Sequence, residues 1–175
     1  MKRVMIIGFS GAGKSTMANM IAEKLGIEAV HLDSLHWLPG WVENTKENEI
    51  SALKPVLNSE KWVIDGNYSK ILYNERMNMA DTIVFLDFNR FLCLIRVIRR
   101  YLKHKGKRRP DMGEGCDEKL DFEFVSWVLY KGRKSKNRKN KLIRLSELKA
   151  EYPEKDICIL RNPRQVREFL KSRNI

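Results

Sequence analysis

The chain of 175 residues predicts an α/β fold built on a parallel sheet, and three observations support this. Short apolar, β-branched runs alternate with longer segments whose apolar residues recur at helical spacing. The first of these runs leads directly into the glycine-rich stretch GFSGAGKST, Gly8 to Thr16, and then into a helical pattern. Two later runs each end in an aspartate, the position that faces the ligand crevice in open α/β sheets.

The elements follow in order along the chain. Val4-Met5-Ile6-Ile7 makes Arg3–Ile7 a buried strand. Met17, Met20, Ile21, Ala22 and Leu25 predict a helix over 14–25 that stops at Gly26. Glu28–Leu32, Lys61–Ile64, Thr82–Leu86 and Ile157–Leu160 read as further strands, with helices at 45–58 and 69–79 between them. Asn89 is placed to cap a helix over 89–103, whose apolar stripe is Phe91, Leu94, Ile95, Ile98, Tyr101 and Leu102 and whose other face is rich in arginine. His104 to Gly115 is poor in core signals, basic and glycine-containing, so it reads as an exposed loop before helices at 118–131 and 138–150. Asn162-Pro163 opens the last helix, over 163–173, with asparagine as cap and proline in the first turn.

Composition bounds the function. With 43% hydrophobic and 32% charged residues the chain buries an ordinary core and is not disordered. The length suits one domain, 1–175, with an insertion at about 100–140. No apolar run approaches a bilayer-spanning length and no signal-peptide pattern opens the chain, so a cytoplasmic protein with no membrane contact is expected. Cys93, Cys116 and Cys158 are odd in number and widely spaced, which suits free thiols and excludes a zinc or CxxC motif. The net charge of +12 is concentrated. Arg96 to Arg109 and Lys131 to Arg144 hold eight Lys/Arg each and no acid, while the remainder of the chain is mildly acidic. A polyanion is therefore expected at one place.

Chemistry concentrates at three points. Gly8, Gly13, Lys14 and Ser15 complete the pattern G-x-x-x-x-G-K-[ST]. Its glycines let backbone N–H groups turn toward phosphate oxygens, and the following helix adds its positive end. Gly8, Ser10, Gly11, Ala12, Gly13, Lys14, Ser15 and Thr16 are the expected cradle, with Lys14 on the β and γ phosphates and the Ser15 hydroxyl on magnesium. Asp65 and Asp87 both follow apolar strands, and either could hold the magnesium or serve as a turn residue. Asp33 follows the second strand, on the side where Lys14 presents the γ phosphate, and could accept a proton from an attacking hydroxyl or orient it. His31 and His36 lack neighbouring ligands and do not suit a metal site. Trp37 and Trp41 bracket Pro39-Gly40 in a loop, where they pack locally or offer a stacking surface. The two basic runs read as a lid that closes arginines on a phosphoryl group, or as a nucleic-acid contact, since sixteen cations exceed what one triphosphate needs.

The ordered set GFSGAGKST at 8–16, HLDSLHWLPGW at 31–41, WVIDGNYS at 62–69 and ADTIVFLDFNR at 80–90, followed by an arginine-rich helix, resembles the adenylate-kinase-like P-loop proteins. It is closer to the family named DNA topology modulation proteins. The likeness covers most of the chain and is weakest from about 104 to 156. It implies a P-loop three-layer fold, with a five-stranded parallel sheet in order 2-3-1-4-5, helices on both faces and a helical basic lid. It also implies ATP and magnesium as cofactors, an acceptor pocket around Asp33, and Asp65 near the metal. Arg96, Arg99 or Arg100, and Arg133 or Arg138, would stand where lid arginines close on the nucleotide.

Departures are visible. Asp65-Gly66 runs into Asn67-Tyr68-Ser69 where adenylate kinases carry proline and arginine, and no Arg occurs between 31 and 75. The paired aspartates expected beside a lid arginine are missing near Arg133 and Arg138. Efficient AMP phosphorylation is therefore not expected. The expected activity is transfer of the γ-phosphoryl of ATP to an unidentified small-molecule or nucleotide acceptor, with Lys14, Asp33, Arg96, Arg100 and Arg133 acting on the reacting groups and Arg138 on the nucleotide. The alternatives are an ATP-binding protein that contacts DNA non-specifically and influences its topology, and a bare ATPase.

Overall fold

The computed structural model describes residues 1–106, 113, 115–133 and 135–175, with backbone alone for 135–137. The first apolar run forms β1, Arg3–Gly8, and its alternation serves both faces of a sheet. Val4 and Ile6 enter one core cluster while Met5 and Ile7 enter the other. The chain continues as α1 (Lys14–Leu25), β2 (Ala29–His31), α2 (Leu32–His36), β3 (Trp37–Leu38), β4 (Val42–Glu43), α3 (Lys46–Asn58), β5 (Trp62–Asp65), α4 (Tyr73–Met79) and β6 (Thr82–Leu86). It then forms α5 (Arg90–His104), α6 (Phe122–Leu129), a 3-10 turn at Lys131–Arg133, α7 (Ser135–Glu151), β7 (Asp156–Leu160) and α8 (Pro163–Ser172).

The main sheet is parallel, in the order β2-β5-β1-β6-β7. Counted in chain order this is 2-3-1-4-5, as the resemblance implies. β1 sends its chain toward β2, and its other neighbour β6 sends its chain toward β7, so the connections diverge between β1 and β6. That divergence opens a crevice at the carboxyl ends. The register sets the crevice floor, with Asp65 level with Ile6 on one side and His31 on the other. One core cluster includes Met17, Ile21, Cys93, Val97 and Phe169 from α1, α5 and α8. The opposite cluster includes Leu53, Leu57, Met77, Leu145 and Leu148 from α3, α4 and α7.

Caps explain several boundaries. Thr45, Asn89, Asp121 and Asn162 each accept a backbone N–H of the helix that follows, as good N-cap residues do. Asp121 therefore starts α6 at Phe122, later than the expected 118. α4 starts at Tyr73 rather than 69, because the preceding backbone is pinned by Arg76. The loop expected over 37–41 is a small antiparallel hairpin of β3 and β4. The expected exposed loop over 104–115 lies largely outside the described residues. Its described flank is packed, for a Cβ on Gly113 would come within 2.6 Å of the Trp37 carbonyl oxygen.

The largest departure is the orientation of α5. Phe91, Ile95, Ile98 and Leu102, expected in the core, are exposed, and the buried residues are Cys93 and Val97. The cause is close backbone approach. A Cβ on Gly11 would lie 2.5 Å from the Cys93 carbonyl oxygen, so α5 presses its backbone on the glycine-rich loop. Only small side chains fit on that face, and the bulky apolar ones turn outward. No helix among the described residues is long and apolar enough to cross a membrane.

Arg76 is fully buried, and its guanidinium donates to the carbonyls of Ile71 (3.0 Å), Gly66 (3.2 Å) and Tyr68 (2.6 Å). Burial lowers its pKa to about 10, so it remains charged at neutral pH. Removing it leaves buried carbonyls unpaired, each at a cost of about 1–3 kcal/mol. Arg76→Leu is expected to lower stability by about 3 kcal/mol or more in urea unfolding, whereas a loss under about 1 kcal/mol would show that the pinning is dispensable.

Candidate active site

The crevice at the carboxyl ends of β1, β2 and β5 is an open cleft of about 2080 Å³. Ser10, Gly11, Ala12, Gly13, Lys14, Ser15 and Thr16 line its base. Gly13 adopts φ 94°, a left-handed conformation suited to glycine, and caps α1 without a side chain. The first N–H groups of α1 thus have no side-chain acceptor and carry the helix's positive end, which makes an anion site. Lys14 reaches back weakly to the Phe9 carbonyl at 3.4 Å.

The turn after β5 braces this loop. Asn67 accepts from the Gly8 N–H (3.1 Å) and donates to the Gly8 carbonyl (2.7 Å), clamping the loop at its root. Gly8 itself does not line the cleft, and its backbone is held from behind by this clamp. Asp65 is buried at 3% exposure, and Ser15 donates its hydroxyl to it at 3.0 Å. His31 Nδ1 lies 2.6 Å from the other carboxylate oxygen, and its Nε2 lies 2.9 Å from Asn19. Of the two aspartates considered from sequence, Asp65 thus adjoins the Ser15 hydroxyl, whereas Asp87 is engaged elsewhere. No group of three or more His, Cys, Asp or Glu among the described residues is placed to hold a metal ion. A hydroxyl beside a carboxylate nevertheless suits magnesium, which takes one or two protein oxygens and fills its shell with phosphates and water.

Across the cleft, Asp33 stands in the first turn of α2 rather than at a strand end, because β2 stops at His31. Tyr68 donates its phenol to Asp33 Oδ1 at 2.7 Å. Burial, followed by the Asp33 charge, raises the Tyr68 pKa, so the phenol keeps its proton and stays a donor. Among the described residues Asp33 Oδ2 carries no hydrogen bond. His36 Nδ1 is 2.5 Å from the buried carboxylate of Glu49.

The cations divide into two groups. Arg96, Arg99 and Arg100 line the cleft, and Arg96 donates to the Ala12 carbonyl at 3.0 Å. Arg100 pairs with Glu118 at 2.8 Å. Arg133, expected on the transferring group, is instead a strut outside the cleft lining. It donates to the carbonyls of Val128 and Phe88 and to Cys93 Sγ, with its guanidinium 3.9 Å from the Phe9 ring centre. Arg138, expected on the nucleotide, pairs with Asp87 through two bonds of 2.8 and 2.5 Å and likewise does not line the cleft. Both arginines satisfy buried acceptors in this arrangement.

Lys141 was not singled out from sequence. It lines the cleft 5.9 Å from the ring centres of Phe9 and Phe85 and has no carboxylate partner among the described residues. Burial, and secondarily Lys14, lower its pKa to about 8. A signal was present in the sequence. Lys141 precedes the buried Leu145 and Leu148 by four and seven residues, so it sits on the apolar stripe of α7.

No family model matches the chain. A Thermococcus kodakarensis protein described as "Putative adenylate kinase" is 29% identical over 125 residues. The match spans 67% of this chain and 64% of that protein. Among solved structures, a shikimate kinase from Acinetobacter baumannii in complex with shikimate superposes with a TM-score of 0.55 at 17% identity, covering 100% of this chain and 96% of its own. A gluconokinase from Sinorhizobium meliloti reaches 0.41 at 20% identity, covering 63% of this chain and 69% of its own. On the superposition with the shikimate kinase, the chain has a P-loop kinase-like fold.

The Asn67 clamp makes a measurable claim. Asn67→Ala removes two bonds that hold the loop root, each worth about 1 kcal/mol. ATP affinity is expected to fall about tenfold in a calorimetric titration, while a Kd within twofold of the parent would show that the loop holds its shape alone.

Proposed function

We propose that this chain is an ATP-dependent phosphotransferase that moves the γ-phosphoryl group to a hydroxyl of a small molecule. The observation that carries this reading is the placement, in one cleft, of the Lys14 phosphate loop and an Asp33 carboxylate oriented by Tyr68. A bare ATPase needs only the loop, whereas a braced carboxylate on the facing wall suits an alcohol that must lose a proton. The described cations of the basic runs also favour transfer over a nucleic-acid contact, since several bond inward or line the cleft.

In this mechanism the loop N–H groups and Lys14 hold the β and γ phosphates. Ser15 Oγ and Asp65 would hold magnesium, which when bound neutralises charge on the phosphate oxygens. Asp33 Oδ2 accepts the acceptor's hydroxyl proton as the oxygen–phosphorus bond forms. The bond from the γ-phosphorus to the bridging oxygen breaks, and ADP departs with that electron pair. Arg96 and Lys141 supply positive charge, and Lys141 gains in ATP the counter-charge it lacks.

Lys14→Ala is expected to lower turnover at least about a hundredfold with thermal unfolding unchanged, and activity within threefold of the parent would contradict the role. Asp33→Asn is expected to reduce kcat about 10²–10⁴-fold with ATP affinity held, as loss of a proton acceptor requires. The charged form of Lys141 binds phosphate and is lost as pH rises through about 8. ATP affinity should therefore weaken above that pH, and Lys141→Met should flatten the profile. An identical pH profile in both proteins would remove Lys141 from the phosphate site.

A further inference from the structure

We propose that the acceptor is an uncharged alcohol carrying a planar ring, of the nucleoside class, rather than a nucleotide. This rests on the transfer reading above and concerns the wall that faces Lys14.

That wall is aromatic. His36, Trp37, Trp41 and Tyr68 all line the cleft beside Asp33. Their rings form one continuous cluster, with centres 4.6 Å apart for His36 and Tyr68, 4.7 Å for His36 and Trp37, and 5.5 Å for Trp37 and Trp41. Tilted and edge-on packing leaves ring faces available to a further planar group. Such stacking is a general source of affinity for bases, because every base has a ring face to offer. The cluster is held from both sides. Glu49 fixes the His36 ring from the core, and the Lys119 ammonium lies 4.8 Å over the Trp41 ring. The hairpin also pairs Trp37 with Glu43, and Cys116 lies 3.3 Å from the Leu38 carbonyl. This bracing suits a binding surface whose rings must hold position before the ligand arrives.

Charge on the wall selects against a phosphate. No Lys or Arg between 31 and 75 lines the cleft, while Asp33 and Glu43 do. A nucleoside monophosphate would bring two negative charges to a segment, 31–75, that offers the cleft two carboxylates and no cation. The described cation nearest the segment's aromatic cluster, Lys119, already sits over Trp41. Arg144 lines the cleft from α7, and its charge acts on Tyr73 there. It is shared with Glu147 at 3.8 Å, which leaves it a weak anchor for a dianion. A hydroxyl within reach of Asp33, a ring on the aromatic cluster and no charge between them matches the acceptor carboxylate and the ring faces that this wall presents. Asp33 then takes the hydroxyl proton, and the product is a phosphomonoester plus ADP.

The test compares adenosine, cytidine and thymidine with AMP, quinate and choline as acceptors, following ADP formation from ATP and magnesium. A parallel titration follows tryptophan fluorescence with a non-hydrolysable ATP analogue filling the nucleotide site. At least one nucleoside is expected to exceed the other three compounds tenfold in kcat/KM and to quench the fluorescence. Trp41→Ala is expected to raise the nucleoside KM at least fivefold with ATP affinity within twofold of the parent, and Trp41→Phe to restore most of it. Preference for AMP, quinate or choline would overturn the acceptor class and leave the transfer reading standing. Nucleoside quenching that Trp41→Ala abolishes, without transfer to any compound, would support the binding surface and overturn the transfer reading. Neither binding nor transfer of any nucleoside would overturn the acceptor class outright.

Discussion

The turn that leaves β5 is the constraint on which the rest of the cleft depends. Within four consecutive residues, Asp65 fastens Ser15 and His31, Asn67 clamps Gly8, and Tyr68 orients Asp33. The carbonyls of Gly66 and Tyr68 are held in turn by the buried Arg76. The glycine-rich loop, the Asp65 carboxylate beside Ser15 and the Asp33 carboxylate are therefore referenced to one short piece of backbone. A shift there moves all three together, and positioning is most of what phosphoryl transfer asks of a protein.

The sheet supplies the geometry that lets so short a segment reach so far. β5 lies between β1 and β2, so its last residue is level with the strand that feeds the phosphate loop and with the strand that feeds Asp33. Several described cations of the basic runs gather around the same end of the sheet. Arg133 and Arg138 spend their charge on buried acceptors behind the loop, while Arg96, Arg100 and Lys141 face the cleft. The described positive charge is thus partly structural and partly gathered on the lining of the cleft.

Much of this was legible in the sequence. Alternating Val4-Met5-Ile6-Ile7 announced a strand buried on both faces, the glycine spacing announced the tight loop into α1, and Asn89 and Asn162 announced their helices. Strand order came through the ordered motifs rather than through periodicity, which carries no topology. The orientation of α5 was not legible, because an amphipathic pattern assumes that bulky residues seek the core. The close approach of Gly11 to the Cys93 carbonyl reverses that preference locally. The duties of Arg133 and Arg138 were hidden for a related reason. A cation in a charge run looks alike whether it meets a ligand, a carbonyl or a carboxylate 51 residues away, as Arg138 meets Asp87. Asn67 stood within a quoted motif, yet its partner Gly8 lies 59 residues earlier and only the β1–β5 pairing brings the two together.

The central claim is that the phosphoryl group goes to an alcohol and not to water. Phosphorus NMR of ATP and magnesium incubated with the chain and a ring-bearing alcohol separates these fates in one spectrum. Transfer to the alcohol requires ADP to appear with an equal amount of a new phosphomonoester signal, dependent on the added alcohol. Inorganic phosphate as the only partner of ADP, at a rate unaffected by any alcohol, would contradict it.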